Sequence, residues 1–281
     1  SASSGPDVFL AGVTAAGPRA PSLRPSGASA QPMAADAVSA DAAAAASMCK
    51  FLAKKIDLLE SAVADAENGA ITNARKMEGL CALADCIPAL QRPDIVKHQA
   101  KIEEIVERLL TQNATEPLRR LAVALLNKLY KHGDSSALPT FVSKLLKVTS
   151  EQNKKIANDT RVATLDVIGE LVIQHGRMLE AFSTDIFVVV AKHMKFPEAS
   201  ARCAAFSCLC KTVSISGLKS PSVAGNIWKM VQKMLLDKVV TVRTSAAHAL
   251  SAVVSASPAS ACTNGADMAT ACLKVLAAED S

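Results

Sequence analysis

Aromatic side chains are scarce in this chain of 281 residues. It holds one Trp, one Tyr and seven Phe, which is 3% of the sequence, while half of all residues are apolar. Ala, Leu, Lys and Glu, which favour helices, are abundant. The composition therefore favours an all-α fold with a large core.

Sequence signatures of catalysis are also missing. We find no glycine-rich phosphate loop, no HExxH and no G-x-S-x-G. The five histidines offer no ligand pair on one helix face and no partner for a nucleophile. We therefore predict a protein that is not an enzyme and that has no cofactor or metal. No apolar run approaches the ~18 residues of a membrane span, so no transmembrane segment is predicted.

Charge of one sign is not concentrated enough to indicate a nucleic-acid partner. The net charge is +5, and it is spread thinly over the sequence. The eight cysteines lack the C-x-x-C spacing of a zinc site, and pairs five residues apart point to different faces of a helix. We interpret them as small buried apolar residues of a cytoplasmic protein.

The N-terminal segment differs from the rest in composition. Of residues 1–47, 33 are Ala, Ser, Pro or Gly, and no apolar period persists there. We expect a disordered tail over 1–47 and a folded region over 48–281. A transit peptide is the alternative for the tail, although it lacks a periodic arrangement of Arg.

A basic residue returns in the same local setting at intervals of 43, 42, 41 and 41 residues. Each is followed after three positions by a small or β-branched residue and after seven by an aliphatic one. These basic residues are Lys76, Arg119, Arg161, Arg202 and Arg243. This period is typical of a helical solenoid, in which helix pairs stack on their neighbours.

Each repeat reads as two helices. The first carries apolar residues at i, i+3, i+4, i+7 and i+8, as in the stripe that begins at Ile102, and the second begins near the repeated basic residue. Gly133, Gly176 and Gly217 mark the ends of second helices, where positive φ is often needed. The predicted architecture is an α-solenoid of about five HEAT-type pairs plus an unpaired C-terminal helix. The units lie near 48–91, 93–133, 136–176, 183–217 and 222–257, with a half-unit at 266–278.

The repeated arginine has two interpretations. It can tie the carbonyls and carboxylates of successive units together, and Asp237, six positions before Arg243, is the expected ionic partner that bridges neighbouring turns. We favour this structural role for Arg119, Arg161, Arg202, Asp237 and Arg243. The alternative is a row of arginines that faces an acidic partner.

Two features are candidates for partner binding. The third unit has about six extra residues before its arginine, in a polar stretch with Glu151, Lys154 and Lys155, and insertions in solenoids often lie on the binding face. Trp228 adjoins the apolar stripe of the fifth unit and is either a core residue or a partner anchor.

Two sequence runs carry a family resemblance. Residues 119–134 (RRLAVALLNKLYKHGD) and 176–182 (GRMLEAF), together with the later repeat at 228–250, resemble the N-terminal region of HEAT-repeat-containing protein 5. The resemblance implies an accessory protein of the clathrin adaptor at the trans-Golgi and endosomes. It further implies adaptor subunits as partners, peripheral membrane association through them, and roles in endosome-to-Golgi transport, endocytosis and protein localisation.

Other scaffolds remain open as alternatives. A tubulin-binding array also uses five to six such repeats, but it predicts aromatic and basic residues in the turns within pairs, and the turn at 65–73 has none. A regulatory scaffold of the phosphatase or transport-receptor type is a further alternative. The predicted C-terminal half-unit leaves an apolar face that needs more chain or a partner to cover it.

Overall fold

The computed structural model describes residues 33–65, 69–112, 114–150, 156–217, 221–256 and eight positions between 266 and 277. All regular secondary structure in these ranges is helical. The α-helices are α1 (Met33–Ala64), α2 (Ala70–Cys86), α3 (Arg92–Thr111), α4 (Glu116–His132), α5 (Leu138–Ser150), α6 (Asn158–Leu179), α7 (Ser183–His193), α8 (Ala199–Ser216), α9 (Pro221–Met234) and α10 (Val240–Ala256). Short 3-10 turns at Ile87–Ala89, Ser135–Ala137 and Glu180–Phe182 follow α2, α4 and α6.

The first helix begins earlier than the sequence predicted. The chain divides into two compact units, 1–41 and 42–281. In the first unit the described residues, 33–41, are helical, and the same helix continues into the second unit. The expected tail over 1–47 stays a prediction, although residues 33–47 are helical. The run Ala42–Ala46 consists of the best helix-forming residue, so the sequence already allowed it to join the first helix.

Within residues 42–281 the helices form two layers. Second helices α2, α4, α6, α8 and α10 each pack against the next along their length, whereas first helices α3, α5, α7 and α9 meet their neighbours at fewer points. We call the second helices the inner layer and the first helices, α1 included, the outer layer.

The core lies between the layers. The apolar stripe of α3 is buried from Ile102 to Leu110, and that of α5 from Leu138 to Leu146. These residues pack with buried positions of α4 and α6 in one continuous cluster. A helix that buries one such stripe has no stable fold alone, so each pair depends on its neighbours. The predicted fold class, an all-α solenoid of helix pairs, is confirmed for the described residues.

The glycines at the ends of second helices play different roles. Gly217 ends α8 with φ of 64°, the conformation that favours glycine. Gly133 and Gly176 were expected to do the same, but neither has positive φ. A Cβ at Gly133 would lie 2.6 Å from Gln99 Oε1 and 2.7 Å from the Leu129 carbonyl oxygen. At Gly176 a Cβ would collide with the Ile215 side chain of α8. The lack of a side chain therefore permits close packing there.

The end of the third unit also departs from the expectation. Helix α6 is interrupted at His175, where φ is −128° and ψ is 25°, next to the predicted end at Gly176, and a further helical segment then continues to Leu179. Beyond α10, the described positions between 266 and 277 are helical, and Gln232 Nε2 donates to the Asp267 carbonyl at 3.2 Å. The other positions of the predicted half-unit 266–278 lie outside the described residues.

Candidate protein-binding surface

The arginines at the start of the second helices bind the turn that precedes their own helix. We call Arg119, Arg161, Arg202 and Arg243 the inner arginine ladder. Each donates to main-chain carbonyls that lie shortly before it in sequence. The bonds are Arg119 to Ala114 at 2.9 Å, Arg161 to Thr149 at 3.3 Å, Arg202 to Phe196 at 2.8 Å and Pro197 at 2.6 Å, and Arg243 to Asp237 at 3.0 Å.

Three of these arginines also reach the next unit. Arg119 Nε lies 3.2 Å from Asp166 Oδ2, and Arg202 Nη2 lies 3.0 Å from Asp237 Oδ1. The Arg161 guanidinium lies over the Phe196 ring, 4.6 Å from its centroid. One planar group with five donors can satisfy its own turn and contact the following repeat at once. The ladder is therefore a seam between repeats.

The expected partner of Asp237 needs a correction. Its carboxylate accepts from Arg202 of the preceding unit and from the Val239 backbone N–H at 2.9 Å. Arg243, the residue expected to form the ion pair, donates to the Asp237 main-chain carbonyl. The carboxylate therefore joins two units, whereas Arg243 closes the turn within its own unit.

Phe196 occupies in the fourth unit the position that Asp237 occupies in the fifth. Each lies six residues before its own arginine and receives the arginine of the preceding unit. Phe196 also stacks on His193, with ring centroids 5.3 Å apart and an interplanar angle of 14°. His193 Nδ1 bonds the Val189 carbonyl at 2.9 Å, and burial lowers the pKa of this histidine. A neutral imidazole, a ring and a guanidinium thus form a buried cluster.

A groove crosses the inner layer. Its main cavity has a volume of about 550 Å³ between α4, α6 and α8. Its charged residues carry both signs, and the half-buried Val123 adds apolar surface. A second cavity of about 260 Å³ between α8 and α10 shares Ser207 and Lys211 with the first, so the two form one groove. We call this the inner groove. The residues that line it are Glu116, Arg119, Arg120, Val123, Asp166, Val167, Glu170, Ser207 and Lys211, continued by Cys203, Cys210, Ser245 and His248.

The charges in the inner groove are ordered by contacts between helices. Lys211 Nζ of α8 lies 2.7 Å from Glu170 Oε1 of α6, and Arg119 of α4 binds Asp166 of α6. Burial raises the pKa of Asp166, and the positive charges of Arg119 and Lys211 oppose that rise. The groove therefore presents fixed charges of both signs, which suits recognition of a protein segment.

The described residues were compared with two kinds of reactive site, a metal cluster and an activated thiol. They contain no group of three or more His, Cys, Asp or Glu placed to hold a metal ion. Burial raises the pKa of the Cys208 thiol to about 12 and raises those of Cys86 and Cys210. Such thiols stay protonated and are poor nucleophiles. The general expectation of buried cysteines is too broad, because Cys81 is exposed.

The residues predicted to bind a partner fall in two places. Glu151, Lys154 and Lys155 lie outside the described residues. Trp228 is 5% exposed and packs in the core, and its role as a partner anchor stays a prediction. Its indole Nε1 is buried without an acceptor among the described residues.

The residues that carry the family resemblance have structural roles. Gln99 of α3 bonds both main-chain groups of Asp134, each at 2.8 Å. Tyr130 donates to Glu103 at 3.0 Å, and burial raises the pKa of its phenol. The segment Leu-Tyr-x-x-Gly-Asp thus locks the turn between α4 and α5 onto α3. Sequence reasoning missed Gln99 and Glu103, because nothing in their own helix marks them as partners of a turn some thirty residues later.

Comparison with known proteins gives limited relationships. No family model matches the chain. Protein SWEETIE of Arabidopsis thaliana is 27% identical over 197 residues, which cover 69% of this chain and 9% of that protein. The chain therefore spans about a tenth of this relative's length.

Two solved structures that the chain partly resembles are an engineered protein and a designed repeat protein. An engineered protein from the Northeast Structural Genomics Consortium is 16% identical, covers 70% of this chain and 79% of its own, and has a TM-score of 0.42. A designed armadillo repeat protein in complex with peptide (KR)4 is 14% identical, with coverage of 79% and 95% and a TM-score of 0.39. The fold assignment rests on the helices themselves. None of the described helices is both long and apolar enough to cross a bilayer.

Proposed function

We propose that this chain is a non-catalytic helical-repeat scaffold that binds a segment of a partner protein in the inner groove. The observation that carries the proposal is the groove itself, which runs across successive second helices and holds fixed charges of both signs. A cleft of this kind selects a ligand by charge and shape over several repeats.

We further propose that the partner belongs to the clathrin adaptor machinery of the trans-Golgi and endosomes. The support is the resemblance of residues 119–134 and 176–182 to HEAT-repeat-containing protein 5. The scaffold would act in the cytoplasm and reach the membrane through its partners, in vesicle trafficking and endosome-to-Golgi transport. Because the two runs mainly lock turns and helix packing, they support the type of scaffold more than the location of the binding site.

A substitution at Ser207 tests this proposal. Ser207 lies where the two cavities join, so Ser207→Trp fills the groove with a bulky ring. Ser214→Trp, on an exposed position of the same helix, is the matched control. We expect clathrin adaptor subunits to co-purify from cytosol with the unmodified chain and with the control, but not with Ser207→Trp. Recovery of adaptor with all three would contradict the inner groove as the site, and recovery with none would contradict the adaptor as partner.

A further inference from the structure

A second basic row lies on the outer layer. Lys144, Lys192 and Lys233 each stand six residues after the start of the apolar stripe of α5, α7 and α9, and Lys274 holds the same place in the last segment. All four are exposed. We call them the outer lysine row. They share one position of the repeat, so they line up across successive units.

The lysines of this row have no ion-pair partner among the described residues. The equivalent residue of the second unit does, because Arg108 Nη2 lies 2.9 Å from Glu60 Oε1 of α1. Helices α5 and α9 contain no acidic residue, and α7 contains only Asp185. From the third unit onward, the described outer helices therefore carry more basic than acidic residues, and the acids beside the row are Asp185 and Asp267.

Two clefts accompany the row at equivalent places. The cleft between α5 and α7 has a volume of about 260 Å³, and the one between α9 and the last segment about 320 Å³. Equivalent repeat positions line both clefts. The matching pairs are Ser143 with Gln232, Lys147 with Leu236, Asp185 with Asp267, Val188 with Thr270, and Lys192 with Lys274. Exposed aliphatic side chains, Val188 at 51% and Leu236 at 53%, adjoin the lysines.

We propose that the outer lysine row docks an extended acidic segment of a partner protein. Charge complementarity defines the ligand, because four cations in line attract a chain with regularly spaced carboxylates. The clefts between helices then accept the intervening apolar side chains. This surface lies on the layer opposite the inner groove, so both can be occupied at once.

The spacing of the helices specifies the acidic segment further. Packed neighbouring helices lie about 8–10 Å apart. A polyproline II chain rises about 3.1 Å per residue with three residues per turn, so side chains on one side recur about every 9 Å. An acid at every third residue therefore matches one lysine per unit. A membrane surface has no such fixed period of charges, so the row favours a protein segment over a membrane.

The test uses a labelled peptide of Glu-Pro-Pro repeats and fluorescence anisotropy with the full chain. The triple variant Lys144→Glu, Lys192→Glu and Lys233→Glu reverses three members of the row. The triple variant Lys50→Glu, Lys54→Glu and Lys97→Glu changes the net charge equally at exposed lysines of α1 and α3. We expect the row variant to weaken binding at least about tenfold and the control less than about threefold. The affinity should also fall with added salt.

Several outcomes would overturn the inference. One is an equal loss in both triple variants, which would reduce the effect to net charge. Another is an equal affinity for an isomeric peptide whose glutamates are grouped together. That result would show that the spacing of the glutamates does not have to match the spacing of the lysines. A third is binding to vesicles that contain phosphatidylserine without binding to the peptide, which would assign the row to a membrane. Retained peptide binding by Ser207→Trp would separate this surface from the inner groove.

Discussion

The inner arginine ladder and the outer lysine row repeat with similar periods but lie in different environments. Arg202 is 5% exposed, with its own turn and Asp237 of the next unit as partners. Lys233, in the outer row, is exposed and forms no ion pair with the described residues, although Asp267 lines the same cleft. Both rows are basic and periodic in the sequence. The two rows differ in burial and in ion-pair partners, which the sequence does not display directly. These differences distinguish a seam between repeats from a surface open to ligands.

Removal of one member from each row should give the largest contrast. Arg202→Ala leaves the Asp237 carboxylate and two carbonyls without their donor in a buried place, so we expect a loss of about 3–5 kcal/mol in the free energy of unfolding. Lys233→Ala should cost less than about 0.5 kcal/mol, as exposed substitutions usually do. Denaturant unfolding followed by circular dichroism measures both.

Arg120→Ala is the control for loss of an arginine in the inner layer. Its side chain is 79% exposed and, among the described residues, forms an ion pair with Glu116 of its own helix. A small loss of stability in Arg120→Ala beside a large loss in Arg202→Ala would show that the loss comes from the contacts between repeats. Equal losses in Arg202→Ala and Lys233→Ala would break the distinction between the two layers.

A pair of cation–π contacts sharpens the same comparison. Arg161 lies over Phe196 in the seam, whereas Lys55 lies 5.5 Å from the ring centroid of Phe51, which is 44% exposed on α1. Phe196→Leu removes the ring contacts to both Arg161 and His193, and we expect it to cost about 1–2 kcal/mol. Phe51→Leu should cost less than about 0.5 kcal/mol. Thermal unfolding of both variants checks this, and a larger loss at Phe51 would contradict it.

The pH dependence of stability should show the smallest effect. Burial lowers the pKa of His193 and of His175, so the folded chain binds protons less readily than the unfolded chain, whose histidines titrate near 6.5. The contribution of these two histidines to stability is therefore fully present above about pH 6.5 and is lost as the pH drops below it. His193→Asn keeps a donor for the Val189 carbonyl and should flatten the fall in Tm between about pH 7.5 and pH 5. An unchanged slope would contradict a buried neutral His193.

The sequence predicted much of the fold because helical periodicity is local. The stripe of α3 from Ile102 to Leu110 was identified from spacing alone, and it is buried as expected. Alanine propensity allowed Ala42–Ala46 to join the first helix, but the start at Met33 was not predicted because this segment has no apolar stripe in its sequence. The sequence placed Gly133 at a helix end. Glycine is needed there because the backbone lies close to Gln99, which belongs to another helix.

The site was less predictable because its contacts join distant positions. The sequence placed Asp237 beside Arg243, which is near in the chain, whereas its carboxylate binds Arg202, 35 residues earlier. Trp228 was a candidate anchor because tryptophan is common at interfaces, yet the fold buries it. The inner groove appears only once α4, α6 and α8 lie side by side.

A double-mutant cycle on Arg202 and Asp237 tests the central claim most directly. The unfolding free energies of Arg202→Ala, Asp237→Ala and the double variant give the coupling between two side chains that belong to successive units. Because both side chains are about nine-tenths buried and 3.0 Å apart, we expect a coupling energy of about 2 kcal/mol or more. A coupling below about 0.5 kcal/mol would contradict the account that the inner arginine ladder joins the repeats.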